Sequence, residues 1–311
     1  MPIFDVIAHR GASGYLPEHT LPAKAMAYAM GADYLEQDVV ATRDEKLLVL
    51  HDIHLDRVTD VAEHFPDRAR SDGRYYVRDF DLDEIRSLNV TERLDGAGLP
   101  VYPGRFPPGS ASFRVNTLGE ELELVAGLNR ATGRSKGVYP EIKRPAWHRK
   151  DGFDITPAVL DELARYGYES ATDAIYLQCF DGAEVLRIRN ELGCRLRIVQ
   201  LIGENDWSES GTDYTQMRSK SGLAELAGTV DAVGPWLRQL YAVDSRSGKP
   251  TSTGLTELAH EAGLKVHPFT FRVDDIPPGF QCFEELVRYF RDDLGVDGLF
   301  TDFPDRVTRL L

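Results

Sequence analysis

Short apolar runs recur along the chain at Asp5 to His9, Tyr34 to Val40, Val138 to Ile142, Ala174 to Phe180, Leu196 to Ile202, Val230 to Val233, Lys265 to Phe271 and Gly298 to Thr301. Each is brief and rich in β-formers, the pattern of a strand covered on both faces. Helical patterns with recognisable ends lie between most of them. Thr20 with Pro22 opens one and Gly31 stops it; Thr156-Pro157 pairs in the same way with Gly167, and Asp181-x-x-Glu184 with Gly193. Phe283, Leu286, Val287, Phe290 and Leu294 step by three and four, as one buried stripe does, and Val185, Ile188 and Leu192 do so more sparsely. Eight strands alternating with helices predict an α/β fold, a (β/α)8 TIM barrel, in preference to an open doubly wound sheet. No GxGxxG follows the first strand, which weighs further against the open sheet.

One stretch breaks the rhythm. From residue 53 to residue 116 the chain is polar and rich in Arg, Asp, Gly and Pro, and a helix starts beyond it at Thr117 with Glu120 in capping-box position. The single barrel domain, 1–311, thus carries an insertion at 53–116 with a short helix near Asp81 to Leu88. Insertions at strand ends commonly wall an active site, and a plain surface appendage is the alternative.

Composition narrows the partners. The 311 residues are 42% hydrophobic and 28% charged, and no apolar run reaches the roughly 20 residues needed to span a bilayer. With 36 basic and 50 acidic residues the net charge is −14, so the long-range field repels nucleic acid and an anionic substrate needs local cations. Cys179, Cys194 and Cys282 lack CxxC spacing and read as small core residues. The first strand begins almost at once, with no export signal ahead of it, which leaves a cytoplasmic protein or a mature exported form as expectations. A homodimer is left open.

The first two strands and the third carry charge where apolar side chains usually go. Glu36 and Asp38, at i and i+2, leave the same side of the second strand, and Glu141 with Lys143 repeats the device on the third. Two carboxylates a few ångströms apart repel by roughly 4 kcal/mol at an effective dielectric near 20, so they need a proton, a basic partner or a cation. Three converging on a barrel mouth make an oxygen site for Ca²⁺ or Mg²⁺, against simple ion pairs with Arg or Lys. His9-Arg10 closes the first strand, and His51-Asp52 closes a run that returns antiparallel after the turn Arg43 to Lys46. Such a histidine pair can serve as general acid and base, while Arg10 and Lys143 suit phosphate oxygens. His54, His64, His148, His260 and His267 read as structural or surface residues.

Eight short motifs stand in order: "HRG" at 9–11, "EHT" at 18–20, "ExD" at 36–38, "HD" at 51–52, "PEIK" at 140–143, "LQCF" at 177–180, "HPFTFR" at 267–272 and "DGLFTDFPD" at 297–305. On these residues the chain resembles bacterial glycerophosphodiester phosphodiesterases of the periplasmic type, which carry an insertion after the HD motif. The resemblance implies a divalent cation, usually Ca²⁺, on Glu36, Asp38 and Glu141, with His9 and His51 as the acid–base pair. It implies that Arg10 and Lys143 hold phosphoryl oxygens and that Glu18 orients the site or contacts the metal shell. Gln178, Phe180 and Phe271, with Trp236 beside them, would border the glycerol or leaving-group pocket. The substrate would be a small glycerophosphodiester and the compartment the periplasm. His19 departs from the asparagine many members have, marks the branch and is not counted as a catalytic histidine. A phospholipase D-like enzyme on lysolipids and a non-catalytic glycerophosphodiester receptor are the rival readings.

Overall fold

A computed structural model describes residues 4–311. The strands in chain order are β1 (Asp5–Ala8), β2 (Tyr34–Ala41), β3 (Leu47–Val49), β4 (Gly137–Ile142), β5 (Tyr176–Cys179), β6 (Arg197–Ile202), β7 (Ala232–Pro235), β8 (Tyr241–Val243), β9 (Pro250–Ser252), β10 (Lys265–Val266) and β11 (Gly298–Thr301). Eight of them run parallel in the order β10-β7-β6-β5-β4-β2-β1-β11, while β3 folds back antiparallel on β2 and β8 pairs with β9. Backbone bonds from Asp297 to Val266 (3.0 Å), Phe300 to Pro268 (3.0 Å) and Phe271 to Phe300 (2.8 Å) join the two ends. The sheet therefore curls into a nearly closed TIM barrel.

Period-two alternation sorts the side chains into layers. Ile7, Tyr139, Tyr176, Val199, Ala232 and Phe300 fill the barrel interior. Val6, Ala8, Leu35, Val39, Val138 and Ile142, their neighbours along β1, β2 and β4, face the surrounding helices. Glu36, Asp38 and Glu141 share the interior side and sit above this plug. Register then aligns them: Asp38 pairs with Glu141, and Glu141 with Gln178.

Local chemistry sets most helix ends. The Thr20 side chain caps Leu21–Ala29, and reciprocal Thr117–Glu120 and Asp81–Glu84 bonds open Leu118–Thr132 and Leu82–Ser87. Two expectations shift. Thr156 lies inside the helix Ile155–Arg165, because its hydroxyl donates to the buried Glu184 carboxylate at 2.6 Å and ties two helices together. The run from Lys265 to Phe271 is a strand only at Lys265–Val266, since Pro268 has no N–H to give the ladder, and isolated bridges at Phe269 and Phe271 continue it.

Residues 53–116 hold an apolar cluster of their own, including Leu55, Val58, Val77, Phe80 and Ile85, which joins the barrel through Val40, Leu48 and Leu50. Arg93 and Arg105 reach back from this segment to Asp52 and Asp302 at the barrel strands' ends. Among the described residues no helix is long and apolar enough to cross a membrane.

Candidate active site

The carboxylates of Glu36, Asp38 and Glu141 offer oxygens that all lie within 4.8 Å of one another. All three residues are at least 96% buried. Burial pushes the Glu36 carboxyl up to about 8, helped by the neighbouring Asp38 charge. Glu141 rises for the same first reason although Lys143 opposes it. Burial also works against Asp38, but Lys143 and His19 hold it ionised, well below the usual range. Lys143 Nζ stands 2.9 Å from Glu141 Oε1, and Arg10 Nε 3.6 Å from Asp38 Oδ2. These cations do not satisfy the cluster: Asp38 Oδ1 is buried without a hydrogen-bond partner among the described residues. Hard oxygen donors, crowded and incompletely paired, fit a divalent cation.

Two histidines flank this cluster, built alike. His9, at the end of β1, presents Nδ1 to Asp302 Oδ1 at 2.6 Å and Nε2 to Glu36 Oε2 at 4.0 Å. Asp302 in turn accepts from Arg105 (2.7 Å) and Arg272 (2.8 Å). His51 presents Nδ1 to Asp52 at 2.6 Å, and Asp52 accepts from Arg93 at 2.7 Å. In each array an arginine holds a carboxylate, the carboxylate fixes one ring nitrogen, and the other nitrogen is left for chemistry. Burial, reinforced by Arg10, pushes the His9 imidazole down to about 4. Burial, Arg10 and Lys143 lower His51 as well.

Arg10 is braced rather than free. Its N–H donates to Glu36 Oε2 (2.8 Å) and its guanidinium to Glu18 (2.9 Å), which Arg93 grips from the other side at 2.6 and 2.9 Å. Glu18 therefore orients Arg10. His19, buried, meets Asp38 Oδ2 through Nε2 at 2.7 Å, and Lys24 backs it at 3.2 Å while pairing with Glu121 at 3.0 Å.

The sequence profile described as the glycerophosphoryl diester phosphodiesterase family matches residues 9–306. The chain belongs to the glycerophosphoryl diester phosphodiesterase family. It is 44% identical to a glycerophosphodiester phosphodiesterase of Haemophilus influenzae, across 96% of this chain and 87% of that one. A solved structure from Silicibacter pomeroyi carrying the same family designation superposes with a TM-score of 0.74 at 27% identity, covering 99% and 93% of the two chains. At 18% identity the fold alone is shared with an Oleispira antarctica phosphodiesterase solved in complex with the product sn-glycerol-3-phosphate, with a TM-score of 0.67 and coverage of 99% and 97%.

The cavity above the carboxylates measures about 270 Å³, and His9, Arg10, His51, Lys143 and Gln178 all line it. Gln178 donates to Glu36 Oε1 at 3.0 Å. Phe180, Trp207, Trp236 and Phe269 form an aromatic wall, with Phe180 edge-on to Phe269 (5.8 Å) and Trp207 to Trp236 (5.3 Å). Phe271 does not border the cavity. It is fully buried in the layer between barrel and helices, edge-on to Phe290 at 4.9 Å, and Phe269 takes the place expected for it. Asp302 and Arg272 lie inside the sequence motifs without a role assigned there, and Arg105 lies in none of them. Asp302 had a signal, since it ends β11 beside the strand that His9 ends; Arg105, brought in by the 53–116 segment, had none.

Proposed function

We propose that the enzyme hydrolyses a glycerophosphodiester to sn-glycerol 3-phosphate and an alcohol, with Glu36, Asp38 and Glu141 holding one divalent cation and His9 and His51 carrying the protons. The observation that supports this most directly is the opening of two carboxylate-backed imidazoles onto the cavity that also holds the three carboxylates. A bound cation, Ca²⁺ by preference over Mg²⁺, would offset negative charge on a phosphoryl oxygen.

Arg10 and Lys143 attract the phosphodiester that the overall charge of −14 repels, and stabilise the charge that grows on its oxygens. One imidazole takes the proton of the attacking oxygen, that of water or that of the neighbouring glycerol hydroxyl by way of a cyclic phosphate which water then opens, as the new P–O bond forms. The other gives a proton to the departing alcohol oxygen as the old P–O bond breaks, so the proton balance closes. Burial keeps both rings neutral at rest, and an arriving phosphate anion favours the one protonated ring that acid catalysis needs. Gln178 and the aromatic wall around Phe180 and Trp236 shape the space beside the phosphate. The product named for the Oleispira fold neighbour fits this reading.

Incubation of the purified chain with glycerophosphocholine, with Ca²⁺ and with a chelator, tests it by release of glycerol 3-phosphate. Activity confined to long-chain lysolipids, or binding without turnover, would point to the lysolipid enzyme or the receptor instead. A periplasmic location belongs to the same proposal and is tested by cell fractionation.

A further inference from the structure

A second cavity of about 170 Å³ adjoins the first, and the two share His9, Arg10, His51 and Arg272 as a common wall. Much of its remaining lining, Glu92, Arg93, Val101, Tyr102 and Arg105, comes from the 53–116 segment. Four arginines face it, yet each is spoken for. Glu18 takes Arg10 and Arg93, Asp52 also takes Arg93, and Asp302 with Asp274 takes Arg105 and Arg272.

Glu92 is the charge left over. It is 4% exposed, and its Oε2 has no hydrogen-bond partner among the described residues. Burial pushes its carboxyl up to about 7; Arg105 pulls the other way, and Glu18 adds to the rise. One oxygen of this cavity-lining carboxyl is thus buried without a donor, and a ligand cation beside it would offset the burial that holds its proton.

We infer that Glu92 is a specificity-determining residue that receives the ammonium group of a cationic head group in this second cavity. The inference rests on the proposed phosphodiesterase reaction. A phosphate held at the shared histidine wall sends one arm of the diester into each cavity. The first offers the carboxylate cluster and the aromatic wall; the second offers a Glu92 carboxyl with one oxygen unpartnered, which a neutral alcohol uses less well than an ammonium.

The test compares kcat/KM for glycerophosphoethanolamine with that for the neutral glycerophosphoglycerol. Glu92→Gln, nearly isosteric, is expected to lower the ratio of the first to the second about ten- to hundred-fold, the worth of a charged hydrogen bond. Glu92→Asp keeps the charge and is expected to restore most of that ratio, which a purely structural role would not do. Equal losses on both substrates, or an unchanged ratio, would overturn the assignment while leaving the reaction intact. A wild-type chain that releases glycerol 3-phosphate from neither diester would overturn the reaction beneath it. Calorimetric titration with ethanolamine is expected to show binding to wild type and weaker binding to Glu92→Gln; equal affinity counts against the site whatever the turnover.

Discussion

Replacing Asp302 by asparagine removes one charge from a group that is 1% exposed and receives three N–H donors. Both arginines bond Oδ2, at 2.7 and 2.8 Å, whereas His9 meets Oδ1 at 2.6 Å. An asparagine has one acceptor oxygen, and the two guanidinium donors claim it. Its NH₂ then faces His9 Nδ1, which must accept, and the ring proton moves to Nε2. A ring protonated on the cavity side cannot take a proton there, and an imidazolium loses the anion that steadied it. Either way proton transfer suffers. By analogy with a carboxylate-backed histidine elsewhere, kcat is expected to fall by about 10²–10⁴, or roughly 3–5 kcal/mol of barrier. The assay is initial-rate release of glycerol 3-phosphate. Cation affinity by calorimetry is expected to hold, since Asp302 touches none of the three clustered carboxylates, and the ¹⁵N shifts of His9 are expected to report the exchanged tautomer. A folded Asp302→Asn enzyme within about threefold of wild-type kcat/KM would refute the reasoning.

Alanine at His9 or His51 should lower turnover by about 10² to 10⁴ on the same substrates, and a double variant with near-normal turnover would reject both as proton carriers. A chelator should abolish release of glycerol 3-phosphate and lower the thermal midpoint, Ca²⁺ should restore both, and Asp38→Asn should blunt the restoration; persistence of activity in chelator would exclude the cation. Glu92 makes a distinct pH signature in stability. Its folded pKa of about 7 exceeds the ordinary 4.5, so the folded state holds the extra proton and stability falls as pH rises from about 4.5 to 7, by up to about 3 kcal/mol. Urea unfolding of Glu92→Gln should show that fall removed; identical pH profiles would count against a buried, unpaired carboxyl. Lys24→Met strips the partner from Glu121, both fully buried and 3.0 Å apart, and should cost about 3–5 kcal/mol by the same denaturant assay.

The alternation along β1, β2 and β4 was visible in the sequence because a strand's period of two needs no distant information. Glu36 and Asp38 share a face for that reason alone, and so do Glu141 and Lys143 along the next strand. Helix starts at Thr20 and Thr117 were equally local, since a cap is satisfied within three residues. At Thr156 the local cap signal misleads, because that hydroxyl bonds Glu184, 28 residues away.

Phe271 marks the other limit. The motif places it near the site, but only packing against Phe290 decides that it faces outward while Phe269 lines the cavity. Asp302 behind His9 is separated from it by 293 positions, and closure of the barrel through β1 and β11 is what brings the two together. Arg93, Arg105 and the unpaired Glu92 depend on how residues 53–116 fold against the barrel. Short-range stereochemistry thus made the strands, the paired carboxylates and several caps legible from the chain itself. The partners that set protonation, and the choice of which aromatic ring meets the cavity, arise only when segments separated in sequence are buried against each other, because burial and charge act through space.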